Sequence, residues 1–346
     1  MAKAAPNPPP PPTLTRWYID TRPLTLSTTT LPLLTTLQPP DQTSVQKFYH
    51  LKDKHMSLAS NLLKYFFIHR TCRIPWSSIV ISRTPDPHRR PCFIPDSSQS
   101  TGDSDTVVNV EFNVSHQASM VAIAGTTIYT NPGTDSTTRK PEVGIDITCV
   151  DERKNRSGGE WNLQSLRAYI DVFSEVFSAG EIEDMKRLHG SPSSPGSSTS
   201  TADDSLVEYG YRLFYTYWAL KEAYIKMTGE ALLARWLRDL EFGNVIAPVP
   251  VPVADGGDGR FGEPYTGVKT TLNKDNIEDV RIEVVALEND YIFATAARGG
   301  GIGAGSRQPS GCEGQSEERD PWMPFEKLDI ERDIRPCATG VCGCLS

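Results

Sequence analysis

Five stretches of low complexity interrupt this 346-residue chain and confine regular structure to the segments between them. They are rich in Ser, Gly, Pro, Thr and Asp, which favour turns and solvated loops over a packed core. With 27 prolines, 26 glycines and only 38% hydrophobic residues, the folded part must be smaller than the whole chain. We therefore expect surface loops or disordered insertions at residues 95–105, 130–141, 189–204, 247–262 and 297–320.

The segments between these loops carry helical and extended patterns. Apolar side chains at helical spacing predict helices at residues 44–70, about 161–188 and about 205–228. Short apolar runs predict strands at 79–82, 111–116, 120–125 and 143–150, and a hairpin of 281–287 with 291–298. This pattern favours an α+β fold with two subdomains that meet near residue 141, where a small-molecule site would fit.

The charge and hydropathy of the chain limit its partners. A net charge of −8 argues against sequence-independent binding to nucleic acid or to an anionic membrane surface. No run approaches the ~20 apolar residues that cross a bilayer, and the proline-rich start lacks the apolar segment of a secretory signal. We expect a soluble, cytoplasmic protein with no nucleic-acid or membrane partner.

The cysteines favour reduced thiols over a disulfide framework, because no secretory signal accompanies them. The three in the tail have no matching His or second CxxC pair for a zinc site, and the final GCLS places Gly343 where a prenylated Cys would be needed. We therefore predict no metal or lipid role for the tail. The seven cysteines are Cys72, Cys92, Cys149, Cys312, Cys337, Cys342 and Cys344.

Residues 214–229, FYTYWALKEAYIKMTG, predict a helix whose charges lie among large apolar side chains. Glu222 and Lys226 share a stripe with Trp218 and Ile225 at helical spacing. One interpretation is a surface ion pair between the two, worth ~0.2–0.5 kcal/mol. The other is that Glu222 binds a metal ion while Lys226 faces a phosphate at the same site.

A second carboxylate interrupts an apolar strand in VGIDITCV. Asp146 there either turns to solvent on an edge strand or, beside Gly144, helps to hold a hard cation. Thr148, on the same strand face, is neutral and completes no acidic cluster.

Other candidates lie at a strand end and in a basic run. FNVSH supplies Ser115 and His116, which point to opposite faces and so disfavour a hydrolase dyad. DPHRRPCFIP supplies Arg90, which lies either in a solvated loop or in contact with a phosphate. The chain has neither a GxSxG elbow nor a P-loop.

In this order, FNVSH, VGIDI, FSAGE and WALKEAYIK resemble the motifs of the 4′-phosphopantetheinyl transferase superfamily, in its large Sfp-type branch. The resemblance spans residues 44–230. FYHLKDKHMSLASNLL matches that branch's F-x-x-x-x-D-x-x-x-x-L helix, and RRPCFIP matches its (G/R)-(K/R)-P motif.

The resemblance implies transfer of the phosphopantetheine arm of coenzyme A to a carrier-protein serine, with release of adenosine 3′,5′-bisphosphate. It implies Mg²⁺ ligands at Asp146 and Glu222 and a phosphate-contacting lysine at Lys226. Arg90, Ser115 and His116 match residues that contact the nucleotide or its 3′-phosphate. Lys221 is expected near the cleft without a catalytic role.

Three of the implied roles stay open: the general base, the third metal ligand and the contact of α-helical residues with the 3′-phosphate. Glu222 is favoured as general base, while Glu181 of FSAGE matches an acidic position that some members use. Thr148 stands where bacterial members usually have Glu. Lys54 and His55 stand where some members carry an Arg for the 3′-phosphate.

The resemblance also implies the architecture: two similar α/β subdomains related by a pseudo-two-fold axis, with the active site in the cleft between them. The expected boundaries are a disordered proline-rich lead at 1–12, subdomains at 13–141 and 142–298, and a Gly- and Cys-containing tail at 299–346. We expect a monomer.

The expected partners are apo acyl and peptidyl carrier domains of fatty acid synthase, polyketide synthase, nonribosomal peptide synthetase and aminoadipate reductase. Two other functions stay open: a Mg²⁺-dependent nucleotide diphosphate hydrolase and a non-catalytic coenzyme A-binding protein.

Overall fold

The computed structural model describes residues 10–86, 88–95, 107–130, 139–152, 161–191, 200–230, 234–253, 259–306, 308–309 and 318–345. Residues 1–9 of the predicted lead, most of the predicted loops at 95–105 and 130–141, half of the one at 189–204, and Cys312 lie outside the described residues.

The regular elements of the described part follow the chain in this order. The helices are α1 (Arg22–Ser27), α2 (Pro39–Gln46), α3 (Leu51–Cys72), α4 (Leu163–Asp171), α5 (Ala179–Lys186), α6 (Ser200–Thr228) and α7 (Arg335–Ala338). The strands are β1 (Leu14–Asp20), β2 (Ile81–Arg83), β3 (Pro91–Phe93), β4 (Val107–Gln117), β5 (Met120–Thr130), β6 (Glu142–Cys149), β7 (Leu240–Gly243), β8 (Lys269–Leu272), β9 (Asp275–Asn276), β10 (Arg281–Leu287), β11 (Tyr291–Arg298), β12 (Gln308–Pro309), β13 (Glu318–Arg319) and β14 (Trp322–Lys327).

Two antiparallel-rich sheets form the centre of the molecule. One has the strand order β14-β1-β5-β4, in which β1 runs parallel to β14 and antiparallel to β5. The other has the order β10-β11-β6 and is antiparallel throughout. Helix α3 packs on the first sheet, where Phe67 meets Phe112 edge-on, and α6 packs on the second. The described chain is therefore a mixed α+β fold, as predicted.

Side chains rather than a backbone ladder join the two sheets. Alternate residues of β4 point toward β6 and accept hydrogen bonds from its backbone N–H groups. The pairs, acceptor first, are Asn113 with Ile145, Ser115 with Ile147 and Gln117 with Cys149, at 3.1, 3.2 and 3.1 Å. Because buried N–H groups need partners, these polar residues fix the register of β4 against β6.

Several predicted elements are confirmed, and two differ. The strands at 111–116, 120–125 and 143–150, the hairpin at 281–298 and the helix at 205–228 are all present. The helix predicted at 44–70 is two helices, α2 and α3. The helix predicted at about 161–188 is also two, because Ser178 caps a new helix through a reciprocal capping box with Glu181.

The C-terminal segment returns to the N-terminal half of the chain. Strand β14 pairs with β1, and the π-helix Ile330–Ile334 and α7 follow it. Ile330, Ile334 and Cys337 are buried in the same apolar cluster as the inner face of α3. The tail predicted at 299–346 thus contributes to the core of the N-terminal half.

A helix must have a certain length and apolar character to span a membrane. Within the described ranges, no helix is both long enough and apolar enough to traverse a bilayer.

Candidate active site

Three elements bring polar side chains together where β4, β6 and α6 meet. Oδ1 of Asp146 lies 2.6 Å from Nζ of Lys226 and accepts a hydrogen bond from Oγ of Ser115 at 3.1 Å. Lys226 Nζ also lies 3.0 Å from Ser115 Oγ. Oδ2 of Asp146 accepts a hydrogen bond from Oγ1 of Thr148 at 2.9 Å. The carboxylate of Asp146 is only 6% exposed, so these contacts replace most of its hydration.

Gly144 allows α6 to lie directly on β6. A Cβ at this position would overlap the backbone of Ala223 and Met227. The close approach places the last two turns of α6 against Asp146, two residues along the strand. The sequence GID therefore combines a glycine for contact with a carboxylate at the point of contact.

Glu222 lies one helical turn before Lys226. Its Oε2 is 3.9 Å from Lys226 Nζ, and its side chain is 14% exposed. Burial raises the pKa of Glu222, the positive charge of Lys226 opposes that rise, and the negative charge of Asp146 adds to it. Two poorly hydrated carboxylates therefore approach one ammonium group. The arrangement differs from a surface ion pair of Glu222 with Lys226, because a second carboxylate takes part and both carboxylates are largely buried.

The donor set fits a hard divalent cation. Asp146 and Glu222 supply carboxylate oxygens, the ligands that Mg²⁺ prefers in proteins. The ammonium of Lys226 lies within reach of both, which marks this point as one where positive charge is stabilised. The neutral Thr148 hydroxyl already donates to Asp146, so the acidic part of the set consists of two residues.

His116 lies at the end of β4 and reaches solvent. Its pKa is lowered, chiefly because surrounding protein atoms displace water and also because Lys226 and Lys64 repel its charged form. Its position beside two lysines fits a site for an anion.

Lys64 is a nearby cation that sequence analysis did not select. It lies on α3 and is almost fully buried, and burial lowers its pKa to about 8. In the sequence it is an ordinary lysine in an amphipathic helix. Only its burial in the fold distinguishes it.

Arg90 holds the loop before β3 against the end of α6. Its guanidinium donates to Glu111 Oε1 at 2.7 Å, to the carbonyl of Val143 at 3.2 Å and to the carbonyl of Met227 at 3.4 Å. The predicted basic residue therefore lies at the junction of both sheets with α6. It is not in a freely solvated loop.

Glu181 and Lys221 form a separate buried pair. Lys221 Nζ lies 2.8 Å from Glu181 Oε2 and also donates to the carbonyls of Leu237 and Leu240. The two side chains are 2% and 1% exposed. The expectation that Lys221 lies near the cleft is wrong, because this face of α6 is covered by residues 237–242 rather than by solvent.

The oxygens of Glu181 are already engaged by groups around that pair. Oε2 accepts from the N–H of Ser178 as part of the helix cap, and Oε1 accepts from the N–H of Phe242, both at 2.9 Å. The structure thus surrounds Glu181 with structural partners and does not join it to Asp146, Ser115 or Lys226.

The two candidates in the first turns of α3 also lie apart from this cluster. His55 is fully buried; its Nδ1 lies 2.9 Å from Oγ1 of Thr25, and its Nε2 lies 3.0 Å from the carbonyl of Thr30. Its two ring nitrogens contact α1 and the segment that follows it, so neither nitrogen is left for a ligand. Lys54 is half-buried in the neighbouring position and is not joined to Asp146.

Comparisons with known proteins agree with these motifs. A family model for the N-terminal part of 4′-phosphopantetheinyl transferases matches residues 26–128, and one for the 4′-phosphopantetheinyl transferase superfamily matches residues 142–263. The 4′-phosphopantetheinyl transferase NpgA of Emericella nidulans is 70% identical over 339 residues, which cover 97% of either chain. The 4′-phosphopantetheinyl transferase A of Aspergillus fumigatus is 57% identical over an alignment of 350 positions, which covers 96% of either chain.

A more distant relative comes from an animal. The L-aminoadipate-semialdehyde dehydrogenase-phosphopantetheinyl transferase of Homo sapiens is 23% identical over 264 residues, which cover 76% of this chain and 67% of the human protein. Two family models and two relatives of high identity and nearly full coverage leave one assignment: this chain belongs to the 4′-phosphopantetheinyl transferase superfamily.

Proposed function

We propose that this chain transfers the 4′-phosphopantetheine arm of coenzyme A to a serine of apo carrier proteins. The observation that carries this proposal is the convergence of Asp146, Glu222 and Lys226 beside Ser115. These residues come from three of the four motifs on which the family resemblance rests, FNVSH, VGIDI and WALKEAYIK, and they meet at one point of the fold.

The reaction exchanges the phosphoanhydride bond of coenzyme A for a phosphate ester bond to serine. The serine hydroxyl of the carrier attacks the phosphorus atom that bears the pantetheine arm. A new oxygen–phosphorus bond forms, the pyrophosphate bond breaks, and adenosine 3′,5′-bisphosphate leaves with the bridging oxygen. Such displacements depend on neutralising the phosphate oxygens and aligning the nucleophile.

Mg²⁺ would be held by the carboxylates of Asp146 and Glu222. When bound, the ion supplies positive charge that neutralises the pyrophosphate oxygens. Asp146 is oriented for this role by Ser115 and Thr148, which donate to its two oxygens. Since Thr148 is neutral, we propose a two-carboxylate site.

The basic residues around the cluster would bind the phosphates of coenzyme A. Lys226 lies on the half-exposed side of α6 and can donate to a phosphate from its present position. His116 is close enough to Lys226 and Lys64 to be affected by their charges, and we assign His116 and Lys64 to the 3′-phosphate together with Ser115. Arg90 would contact the nucleotide with the N–H groups that Glu111, Val143 and Met227 do not engage.

Glu222 is our choice of general base. Its raised pKa gives the carboxylate a greater affinity for a proton than an exposed Glu has. We assign Glu181 a structural role, because the cap of α5, the backbone of Phe242 and the ammonium of Lys221 use both of its oxygens.

The proposed architecture is a pseudo-two-fold pair of subdomains with the coenzyme in the cleft between them. It is supported by the similar stacking of α3 on the first sheet and α6 on the second, on either side of the β4–β6 junction. We propose that the enzyme acts as a cytoplasmic monomer. Apo acyl and peptidyl carrier domains would be its substrates. The human relative is an L-aminoadipate-semialdehyde dehydrogenase-phosphopantetheinyl transferase, and this supports including the aminoadipate reductase among the proposed carriers.

Intact-mass measurement of the carrier tests the proposal. The purified chain is incubated with coenzyme A, Mg²⁺ and an apo carrier domain from each proposed class. We expect an addition of ~340 Da, the mass of the transferred arm, to at least one carrier. A matched carrier with its acceptor serine replaced by alanine controls for nonspecific addition.

Two results would contradict the proposal. One is the absence of any mass shift with all carrier classes. The other is cleavage of coenzyme A at the same rate with and without carrier, which would make water the acceptor and the chain a hydrolase.

A further inference from the structure

One histidine and three cysteines meet at the outer end of α3. The Nε2 of His69 lies 3.2 Å from Sγ of Cys342, and Sγ of Cys337 lies 3.6 Å from Sγ of Cys344. All four atoms lie within 4.8 Å of one another. His69 and Cys337 are buried, and the other two cysteines are half-buried.

The C-terminal segment is folded so that its cysteines reach α3. Cys337 lies in α7, and Gly340 follows with a φ of +76°, in the left-handed region that favours glycine. The N–H groups of Val341 and Cys342 then both donate to the carbonyl of Pro336, which closes a tight loop. This loop presents Cys342 and Cys344 to a histidine that lies 273 residues before Cys342.

A hydrogen bond on the side of His69 away from the cysteines determines which ring nitrogen carries the proton. Nδ1 lies 2.7 Å from the carbonyl oxygen of Ile74. Because a carbonyl only accepts, Nδ1 carries the proton and donates it, and Nε2 has its lone pair directed at the sulfurs. Metal-binding histidines characteristically have such a partner on the second nitrogen.

The sulfurs also have a positive neighbour. Nη1 of Arg70 lies 3.4 Å from Sγ of Cys344. Three thiolates and a dication carry a net negative charge, which a guanidinium at this distance helps to offset. A surface cavity of about 690 Å³, lined in part by Arg70, Cys342 and Cys344, gives an ion a path to the cluster.

We propose that His69, Cys337, Cys342 and Cys344 bind one Zn²⁺ ion in a tetrahedral structural site. Zinc–sulfur bonds of ~2.3 Å and zinc–nitrogen bonds of ~2.05 Å place tetrahedral ligands about 3.6–3.8 Å apart. The separations of 3.2 and 3.6 Å are close to that spacing. Three thiolates and an imidazole select zinc over hard cations such as Mg²⁺.

The complete ligand set defines the role of this site. Four protein ligands leave no coordination position for substrate, which is the pattern of structural rather than catalytic zinc. The ion ties the C-terminal loop to α3, the helix that also carries Lys64. The sequence-based prediction that the tail lacks a zinc partner is therefore revised, because the missing ligand comes from α3. This inference does not depend on the transferase activity.

Metal analysis of the untagged full-length chain tests the site. After expression in zinc-supplemented medium, we expect about one zinc per chain, and less than about a tenth of that in the Cys342→Ser/Cys344→Ser variant. Cys72→Ser is the matched control, since Cys72 lies on α3 outside the cluster, and it should keep its zinc. Background zinc in the wild type, or equal zinc in the double variant, would overturn the proposal.

A second measurement covers the case in which the double variant does not fold. Wild-type protein stripped of metal is titrated with Co²⁺ under reducing conditions, with circular dichroism as the check on folding. We expect one equivalent to produce the intense visible absorption of tetrahedral cobalt with thiolate ligands. The absence of this spectrum, or a metal-free Cys337–Cys344 disulfide in protein purified without oxygen, would contradict the site.

Discussion

The ammonium of Lys226 lies 2.6 Å from Oδ1 of Asp146, although the two residues are 80 positions apart in the chain. The contact joins the end of α6 to the middle of β6, and Ser115 of β4 completes a hydrogen-bonded triangle with them. A cation and a carboxylate are thus fixed at the meeting point of the two sheets, where phosphate and metal would both be bound.

Replacing Lys226 with Met should weaken the use of coenzyme A. Loss of a charged hydrogen bond to phosphate should lower kcat/KM for coenzyme A by about 10- to 100-fold. Steady-state kinetics at saturating carrier measure this. Lys186→Met is the control, because Lys186 pairs with Asp171 on the exposed side of α5. Equal kcat/KM in Lys226→Met and wild type would contradict the assigned role.

The buried pair of Glu181 and Lys221 should act on stability. In Lys221→Met, Glu181 stays buried without its cation, and loss of one partner of a buried pair typically costs ~3–5 kcal/mol. Urea unfolding measures this loss. Glu181→Gln combined with Lys221→Met should recover part of it, since no uncompensated charge remains.

The Glu181→Gln variant alone distinguishes a structural role of Glu181 from a catalytic one. Folded Glu181→Gln should transfer the arm at nearly the wild-type rate while unfolding at lower urea. If it instead unfolds like wild type and transfers ~100-fold more slowly, Glu181 is catalytic and our assignment is wrong.

Lys64 should make stability depend on pH. Burial lowers its folded-state pKa to about 8 from an ordinary value of 10.5, so the unfolded chain binds the proton first as pH falls. Stability is then lost between about pH 10.5 and pH 8, and the full penalty of up to about 3 kcal/mol persists at pH 7.

Lys64→Met should remove that penalty. We expect it to be more stable than wild type at pH 7, with a difference that shrinks as pH rises through the window, and to bind coenzyme A less tightly. Urea unfolding at pH 7 to 10 measures the first effect, with Lys52→Met on the exposed side of α3 as control. A pH-independent difference from wild type would show that Lys64 is not the titrating group.

The sequence alone predicts the elements that carry their own pattern. The hairpin at 281–298 consists of two short apolar runs around a three-residue turn, and Asp146, Glu222 and Lys226 are conspicuous because charge interrupts apolar runs. The order of the motifs predicts that these three residues share one site. The close contact of α6 with β6 at Gly144 explains physically how they come together.

The remaining features depend on which distant segment covers a helix face. Lys221 and Glu222 are neighbours in the sequence, but only the fold puts Glu222 beside Lys226 and Lys221 beneath residues 237–242. Likewise, nothing near His69 in the sequence indicates that three cysteines from the C-terminus lie beside it.

Single-turnover transfer by Glu222→Gln tests the central claim most directly. Gln keeps the size of Glu222 and removes the carboxylate that we assign to the metal ion and to the serine proton. With coenzyme A, Mg²⁺ and an apo carrier, wild type should add ~340 Da to the carrier, and the variant should do so at least ~100-fold more slowly. Asp171→Asn, a surface carboxylate, should match wild type. Transfer by Glu222→Gln at the wild-type rate would contradict the account.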